Sequence, residues 1–127
     1  MRYIGLDWGE KNIGVALSDE EGSMSVPFTV LKNMDWDEFI DDLTNIIRRE
    51  HIDAVVVGIP LTLEGHESSK TKEVRSFTQT LKKFLDMPID LEDERLTSRL
   101  AGDDHAQAAS YILQSFLDRT RYAARPH

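Results

Sequence analysis

Three places in the chain carry side chains able to ligate a cation or move a proton. The first is Asp7, within Gly5-Leu6-Asp7-Trp8-Gly9, a carboxylate at the end of an apolar stretch. A single Asp there reads most simply as a turn former. Glycines on both sides, however, let backbone or a phosphate come close. The second place is Leu91-Glu92-Asp93-Glu94-Arg95. In a strand, alternation sends Glu92 and Glu94 to one face and Asp93 to the other. Taken alone the run reads as a solvated edge, with Arg95 placed to neutralise a carboxylate or bind a phosphate. The third is Asp103-Asp104-His105 at the start of a helix. Acids at a helix N-terminus are favoured by its dipole. His105 falls in one stripe with Ala109, Ile112 and Phe116, which turns it toward whatever the helix covers. Asp104 stands about 100° away around the helix, within reach of the same rim.

Each group alone has an ordinary structural explanation, and their combination points to chemistry. Carboxylate oxygens, with an imidazole, hold a hard divalent cation. Two such ions polarise a phosphodiester, activate a water and stabilise the leaving oxygen. Clustered carboxylates without metal would repel so anionic a substrate, and the metal removes that conflict. Residues 70–83 add Lys70, Lys72, Arg75, Lys82 and Lys83 against Glu73. On charge alone this is a solvated helix face. Beside a metal site it would hold the flanking phosphate backbone.

These groups need elements to position them. Residues 2–7, 13–18 and 26–31 are short apolar runs with short connections, the pattern of an antiparallel meander. Pro27 suits the last of them to an edge. The period then changes: Trp36, Phe39, Ile40, Leu43, Ile46 and Ile47 follow helical spacing, with Asp35 and Glu38 placed to cap the helix start. AVVVGI at 54–59 is apolar throughout, as in a central strand covered on both faces. Val74, Phe77, Leu81, Phe84 and Leu85 mark a second helix, 88–93 a last strand, and His105 to Phe116 a third helix. A tail from about 119 is expected to be frayed. The order βββαβαβα predicts an α/β domain over 1–127. Its mixed five-stranded sheet, a three-stranded antiparallel meander plus two parallel strands, is flanked by helices. Ligands of such sheets sit beyond the carboxyl ends of the strands.

Composition narrows the function. The 127 residues hold 15 Lys/Arg against 23 Asp/Glu, a net charge of −8, which argues against a protein that coats nucleic acid with its whole surface. Residues 1–60 carry 5 basic and 12 acidic side chains, and residues 61–127 carry 10 and 11, so the acidity is lopsided. There is no cysteine, which removes disulfides, thiolate zinc sites and cysteine nucleophiles and suits a reducing cytoplasm. No apolar run nears the roughly 20 residues that span a bilayer. The opening MRYIGLDWGEKN lacks the basic and apolar segments of a secretory leader. A cytoplasmic location without membrane contact is expected.

The segments GLDWGEKNIGVALSD (5–19), VVVGIPLTLEG (55–65), DERLTS (93–98) and AASYILQSFLD (108–118) together resemble the YqgF/RuvX family. These are pre-16S rRNA nucleases and Holliday-junction-resolvase homologues of the RNase H-like superfamily. The resemblance implies an RNase H-like fold, a divalent metal (magnesium, or manganese), and hydrolysis of phosphodiesters in structured nucleic acid, by a monomer or homodimer. By position, Asp7 matches the first-strand catalytic Asp and Glu94 the Glu of the DER motif. Lys11 matches the basic residue of the glycine-rich turn. Arg95 and Thr97 match motif positions of unassigned role. The family's last catalytic Asp falls on His105, so either His105 or Asp104 completes the metal set. Imidazole there shifts preference toward manganese. The Lys/Arg-rich segment that usually precedes the last helix is reduced to residues 99–104, which weakens the grip on substrate.

Three functions follow from this reading. The first is a metal-dependent endonuclease, acting on pre-16S rRNA in ribosome biogenesis in preference to four-way DNA junctions. The second is a nucleotide-binding protein of the actin/hexokinase type, for which one lobe is too little chain. The third is a nucleic-acid-binding module that has lost its chemistry.

Overall fold

The computed structural model describes residues 1–94 and 101–124. Five strands, β1 (Tyr3–Trp8), β2 (Asn12–Ser18), β3 (Ser25–Lys32), β4 (Ala54–Ile59) and β5 (Ile89–Asp93), form one sheet in the order β3-β2-β1-β4-β5. The first three pair antiparallel, while β4 lies parallel to both β1 and β5. This is the mixed sheet expected from the sequence. Helix α1 spans Trp36–Arg49, α2 Ser69–Phe84 and α3 His105–Ala124.

Capping chemistry starts each of these three helices. Asp35 accepts a hydrogen bond from the Glu38 N–H at 3.1 Å, and Ser68 with Thr71 forms a reciprocal capping box on α2. Asp104 accepts from the Gln107 N–H at 3.0 Å at the head of α3.

Strand alternation divides the core in two. Ile4 and Leu6 of β1, with Val55 and Val57 of β4, meet the α1 and α2 stripe of Phe39, Leu43, Val74, Phe77 and Leu81. On the opposite face Ala16 and Val56 meet Ala109, Ile112, Leu113 and Phe116 of α3. That second face is floored by glycine. A Cβ on Gly5 would stand 2.8 Å from Leu113 Cβ, one on Gly14 1.9 Å from the His105 carbonyl oxygen, and one on Gly58 2.5 Å from Ile112 Cδ1. Without side chains on β1, β2 and β4 at these points, α3 lies almost on the sheet backbone.

Polar side chains pin α3 at both sheet edges. On β3, the Ser25 N–H donates to Gln114 Oε1 at 2.9 Å, and the Ser25 hydroxyl donates to the Ser110 carbonyl at 2.6 Å. On β5, buried Glu92 accepts from the Ser115 hydroxyl at 2.9 Å and from Arg119 at 2.8 Å. The frayed tail expected from about 119 is instead helix as far as Ala124. The Arg119 ion pair with Glu92 explains the difference, because a charge-assisted contact to a buried carboxylate holds that turn down.

The glycine floor is directly testable by thermal melting. Gly14→Ala should cost about 3 kcal/mol through overpacking against the α3 backbone, a fall of about 10 °C in Tm. Gly102→Ala meets nothing within 4 Å among the described residues and there strains only its φ of +61°, so it should cost about 1 kcal/mol. Equal losses for the two variants would remove the close approach of α3 as a constraint.

Candidate active site

Asp7 lies at the carboxyl end of β1, on the α3 side of the sheet with Gly5. Its neighbour across β4 is the end of β5, where Glu94 follows the strand and donates its N–H to the Ile59 carbonyl at 3.1 Å. Glu92 and Glu94 share the α3 face, as alternation requires, and both are buried. Asp7 is buried as well. The two carboxyl groups are close enough to influence each other's ionisation. His105, half-buried at the first turn of α3, brings Nδ1 to 3.5 Å from Asp7 Oδ2. Gly9 and Gly58 give these groups room: a Cβ on Gly9 would come 3.3 Å from the imidazole, and one on Gly58 3.1 Å from Glu94 Oε2.

Burial and mutual proximity govern the charge state. Desolvation pushes the Glu94 carboxyl up to about 8, and the adjacent Asp7 carboxyl pushes the same way. Burial also raises Asp7, partly offset by the neighbouring Glu94 carboxyl, by the His105 imidazole and by the Lys70 charge. At neutral pH the pair therefore retains a proton, with Glu94 as donor and Asp7 as acceptor. Lys70, in the first turn of α2, is the member of the basic stretch whose charge reaches both carboxyls.

The other sequence candidates are placed differently. Asp104 is exposed, and its side chain is engaged in capping α3, so His105 is the group that meets Asp7. Lys11 is exposed in the turn between β1 and β2, on the same rim. Lys72 is exposed on α2, and Arg75 is paired with Glu67 at 2.9 Å. Arg95 and Thr97 lie outside the described residues. Sequence reasoning missed Arg119, which it assigned to a loose tail. It also missed Trp8 and Trp36, whose apolar spacing reads as core.

The donor set suits a hard divalent ion: two carboxyl groups raised by burial, Glu94 further raised by Asp7, with an imidazole beside Asp7. Among the described residues no three His, Asp or Glu side chains yet stand at ligating distance of one point. Asp7 is the hub, touching Glu94 on one side and His105 on the other.

Comparison with known proteins places the chain in a family. The family model described as "RuvX: Holliday junction resolvase" matches residues 1–119. The chain belongs to the RuvX family. Proteins of that lineage named "Putative pre-16S rRNA nuclease" are similar along nearly their whole length. The one from Maridesulfovibrio salexigens is 33% identical over 134 residues, covering 94% of this chain and 99% of its relative. That from Nitratidesulfovibrio vulgaris is 37% identical, covering 93% and 94%. Among solved structures, Thermus thermophilus RuvC in complex with a Holliday junction substrate superposes with a TM-score of 0.65. It has 12% identity and covers 100% of this chain and 99% of that one. Fowlpox virus resolvase gives 0.56 at 12% identity, covering 94% and 99%. The RuvX chain thus has the RNase H-like fold expected from its sequence.

The buried carboxyl pair sets the pH dependence of stability in metal-free RuvX protein. The folded state holds the Glu94 proton up to about pH 8, whereas the ordinary value is 4.5. The stabilisation from that proton is complete below 4.5 and is lost as pH rises toward 8. Glu94→Gln should flatten this slope. In chelator it should melt above the parent protein at pH 8.5 and lose that advantage at pH 4.5. Parallel melting curves at the two pH values would contradict the shared proton.

Proposed function

We propose that the chain is a metal-dependent endonuclease that hydrolyses phosphodiester bonds in structured nucleic acid, with the 5′ end of pre-16S rRNA as its substrate. The observation that carries this reading is the Asp7–Glu94 carboxyl pair with His105 against it, at the carboxyl ends of β1 and β5. The names of the full-length relatives support the choice of rRNA.

Asp7, Glu94 and His105 would hold magnesium or manganese in place of the proton that the carboxyls share. Bound there, the metal supplies Lewis-acid polarisation of the phosphate and lowers the pKa of an attacking water. Asp7 serves as the central ligand because it touches both other groups. His105 adds a nitrogen donor, which tilts the preference toward manganese. Lys70 offsets the carboxyl charge and meets an incoming phosphate from the head of α2. Lys11 and Arg95 extend the phosphate contacts, and Lys72 and Arg75 continue the basic face of α2. Capping, not ligation, is the role of Asp104.

A second reading, cleavage of four-way DNA junctions, draws on the family description. A symmetric junction calls for a homodimer, and a ribosomal precursor for a monomer. No described helix is long and apolar enough to cross a membrane, in keeping with a cytoplasmic role.

The proposal is tested with purified protein and end-labelled substrates in magnesium or manganese. A 16S precursor should be cut in its leader faster than a four-way junction. Asp7→Asn and His105→Ala should each lose on the order of 100-fold or more in rate. Asp104→Ala should keep its activity while losing about 1 kcal/mol of stability with the helix cap. Asp7→Asn protein that cuts as fast as the parent would refute the assignment.

A further inference from the structure

β1 ends with side chains on both faces of the sheet. Asp7 points to α3, and Trp8, in register with Ile4 and Leu6, points to the α1 and α2 side. There an open cleft of about 370 Å³ is walled by Trp8, Trp36 and Phe77, with Asn33, Glu73 and Ser76 supplying polar groups. Asn33 Nδ2 donates to the Gly9 carbonyl at 2.7 Å, which ties the cleft to the turn that also faces His105. Trp36 is held by Phe77 at 6.1 Å and Phe84 at 5.5 Å between ring centroids. Its indole N–H is buried with no hydrogen-bond partner among the described residues.

The catalytic rim and the cleft share one helix. Lys70 reaches the Asp7–Glu94 pair, and Glu73, one turn later, borders the cleft. A strand held at the rim by its phosphate would thus carry a neighbouring base toward two indoles. Aromatic walls accept any base through its π-face, provided that the base is not stacked in a duplex. The Glu73 carboxylate adds an acceptor for imino or amino hydrogens on the base edge.

We propose that the Trp8–Trp36 cleft binds one unpaired nucleobase of the substrate strand, next to the bond to be cut. This inference rests on the reading that the substrate is nucleic acid, and it assigns that substrate a single-stranded nucleotide at the site. The chain has two tryptophans and both line the cleft, so intrinsic fluorescence reports on it directly.

The test titrates the full chain, in chelator to prevent cleavage, with a nine-nucleotide single-stranded RNA and with a fully abasic strand of equal length and charge. Anisotropy of an end label on each strand measures binding independently. The RNA should quench tryptophan emission saturably. The abasic strand should bind about 5- to 100-fold more weakly, without quenching. Ser76→Phe, at an exposed position of α2, fills the cleft and should abolish the quench while leaving the melting temperature unchanged. RNA that does not bind, binds without quenching, or quenches no more than the abasic strand overturns the inference, as does an undiminished quench in Ser76→Phe. Metal-driven cleavage is scored separately. Cleavage without a base-dependent quench removes the cleft alone, whereas a base-dependent quench without cleavage removes the nuclease reading and leaves the cleft.

Discussion

Two carboxyl groups buried side by side are the interaction on which the rest of this structure depends. Burial alone disfavours a charged carboxyl, and a second one in contact makes double ionisation worse. Asp7 and Glu94 resolve this by sharing a proton, with the Lys70 charge nearby and the His105 imidazole beside Asp7. Such a pair is costly as architecture, because apolar side chains at these two positions would pack without penalty. It becomes an asset in the proposed function, where a divalent cation takes the place of the proton.

The scaffold is arranged to hold that pair. Glycines at 5, 14 and 58 remove the side chains that would lift α3 from the sheet, and His105 arrives above Asp7 because α3 lies so low. Hydrogen bonds at the two sheet edges, from Ser25 to Ser110 and Gln114 and from Ser115 and Arg119 to Glu92, fix the helix in rotation and register. Glu92 is two residues from Glu94 on the same face, so the Arg119 contact also steadies the strand end that presents the Glu94 carboxyl. The opposite face carries most of the large apolar side chains, leaving the α3 face for the site.

Much of this was legible in the residues. Strands and helices followed from hydrophobic period, and 54–59 coincides with β4 because a run apolar on both faces leaves little choice of element. Parity placed Glu94 on the α3 face, and the helical stripe turned His105 inward. Which of His105 and Asp104 stands against Asp7 was not legible, because both neighbours can reach a rim and only coordinates show Asp104 engaged as a cap and His105 beside Asp7. The last helix was read too short, since its final turns are held by Arg119 meeting an acid 27 residues earlier, a contact with no local signal. The Trp8–Trp36 cleft was hidden for a related reason: Trp36 keeps the apolar period of α1, and periodicity does not distinguish a filled core from an open one.

In the proposed function the site exchanges a proton for a metal ion. Calorimetric titration of manganese at pH 7, in two buffers of different ionisation enthalpy, counts that exchange. With the Glu94 carboxyl pushed up to about 8, binding should release close to one proton per ion, and Glu94→Gln should abolish the release. Binding with no proton released, or no binding at millimolar manganese, would contradict the account.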